Sequence, residues 1–128
     1  MTRVILVARI VLGLLFFAFG LIGVLNLVKA QLPAGDAGVF VGVLMTHGYM
    51  KFVSLLEVIA GLLLLVGRFV PLGLVILGPI LVNILLYHIL LEPQGVAIGA
   101  VATVLEIFLI WAYRLSFRGL FDATPELS

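Results

Sequence analysis

Cysteine is absent from the 128 residues of the chain. That excludes disulfides, thiol redox chemistry and thiolate-held metals. Charge is scarce as well: seven Lys or Arg and six Asp or Glu make up 10% of the residues and leave a net charge of +1. A soluble domain carries about 25% charged residues, so there is too little polar surface to cover a globule in water. The basic excess that nucleic-acid binding demands is missing, and no nucleic acid is expected as a partner. Nor does the chain contain G-x-S-x-G, H-E-x-x-H, a phosphate-binding loop or a dinucleotide fingerprint. No metal site or cofactor is predicted from such motifs.

What is there is oil. Hydrophobic residues make up 65% of the chain, and the mean hydropathy is +1.43. This composition predicts an integral membrane protein in contact with the lipid bilayer. Four apolar runs, about 4–28, 50–67, 71–91 and 95–114, are each near the ~20 residues that span a bilayer as a helix. Unbroken helices are expected, because backbone amides in lipid must find their partners within the segment. The fold class predicted is all-α, a four-helix membrane bundle forming one domain over 1–128. The apolar run after Arg9 exceeds the 7–15 residues of a signal-peptide core, and further spans follow it. That argues against cleavage at "VKA" (28–30).

The connections differ in length. "GRFVP" (67–71) and "EPQG" (92–95) read as tight turns, which makes the flanking helices antiparallel neighbours. The stretch from 29 to 51 is long, and Val39, Phe40, Val43, Leu44 and Met45 recur in it at roughly helical spacing. A short interfacial helix over 37–46 is predicted there. With four alternating spans, Arg3, Arg9, Arg68, Arg114 and Arg118 fall on one side, and Lys29 and Lys51 on the other. The positive-inside tendency then places both termini in the cytoplasm, in the inner (plasma) membrane. Trp111 and Tyr113 sit where an inner aromatic belt would lie. Gly13, Gly20 and Gly23 in the first span, Ala60 and Gly61 in the second, Gly73 and Gly78 in the third, and Gly95 and Gly99 in the fourth favour close helix packing. Pro79 is expected to kink the third span.

Against this background the polar residues stand out, since ionisable groups in hydrocarbon cost about 2.5–3.5 kcal/mol on insertion scales. At about 1.5 Å per residue, Glu57 lies roughly 9 Å from Lys51, His88 roughly 6 Å from Glu92 and Asn83 roughly 13 Å from Glu92. Asn26 is near the outer end of the first span, and His47 sits in the outer loop. Asn83 and Tyr87 are four apart and share a helix face, which is assigned to the bundle interior. His88 is rotated from Asn83 by about 140° and points to the outer rim. Glu57 reads either as interhelical glue or as a group that meets a ligand or a proton. Asn26, Asn83, His47 and His88 have equally plain structural readings. Arg9 and Glu106 match in depth near the inner side and are expected to pair as a structural ion pair. The alternative is that Arg9 snorkels to the surface.

The segments "ARIVLGLLFFAFGLIGVLNL" (8–27), "LLEVIAGLLLLVGRFVPLG" (55–73) and "LVNILLYHILL" (81–91) resemble the DoxX family. The order agrees: an Arg-led first helix, a Glu in the second followed by small residues and a leucine run, then a third helix ending in Tyr-His. The resemblance covers nearly the whole chain, though its motifs are mostly apolar. It implies a compact four-helix membrane protein. Some members of that family act in quinone-linked sulfur oxidation and others in oxidative-stress complexes. Glu57, Asn83 and His88 match polar positions of the pattern. The soluble domain fused in some thiosulfate-oxidising relatives is missing from this chain, so their substrate chemistry does not carry over.

Two functions compete. One is an accessory membrane module, a scaffold, partner subunit or lipid binder, whose polar residues hold the bundle and whose 37–46 segment docks another membrane or redox protein. The other is a redox-associated subunit with quinone as its cofactor, bound near Glu57 and His88 with Asn26, His47, Asn83 and Tyr87 around it. A small transporter is a remote third. Self-association into a homo-oligomer is open in every case.

Overall fold

A computed structural model describes residues 1–27 and 31–127. The end of the first predicted span at Val28, the side assigned to Lys29 and the "VKA" stretch therefore lie outside the described residues.

Among the described residues six helices follow in order: α1 Thr2–Leu25, α2 Gly35–Thr46, α3 Tyr49–Val66, α4 Val70–Leu90, α5 Val96–Ala112 and α6 Arg114–Phe117. Single 3-10 turns occupy Pro93–Gly95 and Arg118–Phe121. Four segments are long and apolar enough to cross a membrane: Thr2–Leu25, Tyr49–Val66, Val70–Leu90 and Pro93–Ala112. The protein is thus an all-α, multi-pass membrane protein with one shorter helix between the first two spans. That helix begins at Gly35, two residues before the predicted start. The terminal elements Arg114–Phe117 and Arg118–Phe121 were not expected from the apolar pattern, whose last run ends at about 114.

Local chemistry explains the boundaries. α1 stops at Asn26, which adopts the left-handed conformation (φ 51°); among non-glycine residues, Asn takes it most readily. The Leu27 amide then reaches back to the Ile22 carbonyl at 3.2 Å and closes the helix end. α3 stops at Gly67 (φ 79°), whose amide bonds to Leu63 O at 3.0 Å. Only Arg68 and Phe69 separate that cap from α4, with Pro71 in the first turn of the new helix, where a missing N–H costs nothing. Pro79 does not break α4, which runs on to Leu90.

The spans close into a ring. α1 packs most extensively on α3, and α3 on α4, α4 on α5 and α5 on α1 complete the circuit. The α1–α3 seam is a backbone contact made by glycine. A Cβ on Gly61 would stand 2.5 Å from Phe17 N and 2.8 Å from Gly13 O. One on Gly20 would meet Ser54 O at 2.7 Å. No side chain fits at Gly61 or Gly20, which is how small residues bring membrane helices together. Leu12, Phe16, Leu64, Leu77, Leu81 and Leu109 fill the centre of the ring, and Phe117 closes it at the end that carries the termini. No more than 28% of the most apolar stretch of any span is buried. Most of the hydrocarbon surface therefore faces outward, as a bilayer contact requires.

Candidate functional site

Two of the buried polar groups are carboxyls. Glu57, midway along α3, is 9% exposed, and Glu106 on α5 is 3% exposed. Ala60 O of α3 faces Gly73 of α4, and Glu106 Oε2 lies 3.6 Å from where a Cβ on Gly78 would be. Stepping outward at about 1.5 Å per residue, Glu57 comes level with Gly78 to within about one turn. The two carboxyls thus sit at one depth, on α3 and α5, to either side of the Gly78 region of α4. Neither oxygen of Glu106 has a hydrogen-bond partner.

The expected pairing of Arg9 with Glu106 is not made. Nε of Arg9 is itself unpartnered, and its guanidinium fills the space where a side chain on Gly67 would stand. Gly67 ends α3, so Arg9 has extended to the negative end of that helix dipole, at the edge of the span. A flexible four-bond side chain reaches such a surface at less cost than it would be buried beside a carboxyl in the core.

A second cluster forms where α4 ends. Tyr87 stacks on Phe40 of α2, with ring centroids 5.8 Å apart and planes at 25°. His88 meets the Tyr87 ring edge-on at 5.0 Å. Nδ1 of His88 lies 2.9 Å from the carbonyl of Glu92. A carbonyl only accepts, so Nδ1 is the donor. The ring also lies over Gly95 and Gly99, and a Cβ on Gly95 would come within 2.5 Å of His88 Cε1. His88 therefore packs the turn between α4 and α5, and Tyr87 holds α2 over the bundle.

The other sequence candidates sit apart. Asn26 is the α1 cap, and its side chain is exposed. Asn83 does not face the interior. It is exposed on α4 and donates Nδ2–H to Pro79 O at 2.9 Å. Burial is decided here by how α4 is rotated against α3 and α5, which periodicity in an all-apolar helix leaves open. His47 ends α2 and lines a surface groove of about 610 Å³ with Leu32, Pro33, Gly38, Val39 and Val43. A second groove of about 530 Å³ runs between α1 and α5 and is apolar but for Arg3.

Glu57 and His88 do not share a pocket. Relative to Gly73, His88 lies about 18 Å further along the bundle than Glu57, and its ring faces α5. Sequence reasoning passed over Ser54, 3% exposed, whose hydroxyl lies against Gly23 of α1. The signal was available: Ser54, Glu57, the adjacent pair Ala60 and Gly61, and Leu64 recur every three or four residues along one face.

These features define a multi-pass membrane protein built as a four-helix ring with two buried carboxyls. The chain is 32% identical over 127 residues to the uncharacterized protein YwoB of Bacillus subtilis (strain 168), an alignment covering 91% of this chain and 81% of that one. It belongs to the YwoB family. No family model matches the sequence, and no solved structure does. The DoxX resemblance rests on the residues quoted for it above.

Proposed function

We propose that the chain is an accessory module of the plasma membrane, with both termini in the cytoplasm, that holds a partner membrane protein through α2. The observation that carries this reading is the uncovered apolar surface of α2 and of the segment that leads into it. Val39 is 67% exposed, Val43 56% and Leu32 51%, and all three line the 610 Å³ groove. Meanwhile His88, Tyr87 and Asn26 are engaged in caps and turns of the bundle. A surface of that kind, with an apolar floor and small residues beneath it, suits a helix of another protein.

A photo-crosslinking side chain at Val43, in the full chain in native membranes, should yield one discrete adduct with a second protein. The same group at Val104 on α5 should yield lipid adducts. Lipid adducts from both positions would refute the reading. Substituting His88→Ala should cost about 1 kcal/mol of stability in detergent, because it removes one hydrogen bond and the packing on Gly95. Unchanged melting would release His88 from that structural role.

A quinone-linked role requires Glu57 and His88 to meet one head group, and their separation in depth weighs against it. Titration of a quinone analogue decides between the two. Saturable binding that is lost in Glu57→Gln would replace the accessory reading, and absent or unaltered binding leaves it in place.

A further inference from the structure

Asn83 is in the wrong place for a protein that meets only lipid. It lies seven residues inside the end of α4, about 10 Å below it. Its side chain is nevertheless exposed. Among the described residues, no other polar side chain is exposed on a span away from the span's ends. A primary amide offers two N–H donors and an oxygen with two lone pairs. One donor is used on Pro79 O, within the same helix. The second N–H and the oxygen face hydrocarbon, which cannot bond to either.

The backbone adds to this. Pro79 has no N–H, so the Val75 carbonyl loses its ordinary helical donor. Val75 and Pro79 are exposed on the same side as Asn83. Leu72, Val75, Pro79, Asn83, Leu86 and Leu90 are all exposed and follow one another by three or four residues, so they form one stripe along the helix. Within about 12 Å of that stripe lie a carbonyl without its donor, a free N–H and a free amide oxygen.

We infer that this stripe is the seam of a homodimer in which Asn83 hydrogen-bonds to Asn83 of a second copy. A second copy is the occupant the chemistry favours. Copies of one chain insert with one orientation, so their α4 helices run parallel about an axis along the membrane normal. Such an isologous contact places each residue opposite its own equivalent. An amide is donor and acceptor at once and carries no charge, so it complements itself where a carboxylate or an ammonium would repel. Pro79 on the same seam keeps the helices' facing surfaces free of a bulky side chain beside that pair.

The natural absence of cysteine makes the test direct. Full-length protein with Leu86→Cys is oxidised in native membranes and compared with Val104→Cys, an exposed position on α5. Leu86→Cys should give a disulfide-linked dimer and Val104→Cys only background. Adding Asn83→Leu should lower the Leu86→Cys crosslink by about tenfold, and Asn83→Gln, which keeps the amide, should retain most of it. Equal crosslinking at the two positions overturns the inference. So does an Asn83→Leu protein that melts like wild type and still crosslinks fully, because the seam would then not depend on the amide. If Asn83→Leu fails to fold, the Leu86 against Val104 comparison and the Asn83→Gln protein decide alone: a dimer at Leu86 kept by Gln supports the seam, and its absence refutes it.

Discussion

Glu106 has both carboxyl oxygens buried and neither of them bonded. A polar group left that way costs about 1–3 kcal/mol. Replacing it with Leu removes the unmet group at similar volume, so Glu106→Leu should raise stability in detergent by about 1–2 kcal/mol, read as a higher melting temperature. A loss of stability would show that the carboxyl is bonded in the membrane. A residue that costs stability where it stands is better explained by use than by architecture. Arg9 gives a second check at this scale. Because it sits over Gly67 and not on Glu106, Arg9→Ala and Glu106→Ala should have additive effects on stability to within about 0.5 kcal/mol. A coupling above that in the double mutant would restore the ion pair. The residue types were legible in the sequence, and so was the depth of each. Their partners were not, because helix rotation and side-chain reach are settled by neighbours from distant parts of the chain.

The α1–α3 seam is the element on which the bundle depends most. Gly61 meets Phe17 and Gly13 backbone directly, and backbone cannot move aside as a side-chain tip can. Gly61→Ala should therefore destabilise the protein by about 1–3 kcal/mol, seen as a lowered melting temperature, despite the better helix propensity of alanine. Gly119→Ala, at a position where a Cβ would meet nothing, serves as the control and should change little. The helices themselves were readable as apolar runs. Their ends were readable too, at Gly67 and at the Glu92-Pro93 turn, because caps and proline act locally. The short helices after Tyr113 escaped notice. Phe117, buried against the core at the terminal end of the ring, is what holds that segment, and a contact of this kind leaves no mark in local periodicity.

Four spans put both ends of the molecule on one side of the bilayer, and α2 on the other. The five arginines near the terminal side propose which side is the cytoplasm. An impermeant maleimide applied to intact cells should label Gln94→Cys, in the α4–α5 turn, and should reach Thr124→Cys only after permeabilisation. The opposite pattern would invert the orientation. By itself, the sequence determined that this is a four-span, all-α membrane protein with a short helix after the first span, because hydropathy and span length are sums over local composition. It also determined which few residues are polar within the spans. Only the tertiary structure decided which of them face each other. It took Arg9 from Glu106 to the end of α3, set Glu57 and Glu106 at one depth, separated Glu57 from His88 and turned Asn83 outward. The physical reason is that a helix apolar on every side has no preferred inner face of its own. Its rotation is set by where glycine lets another backbone come close.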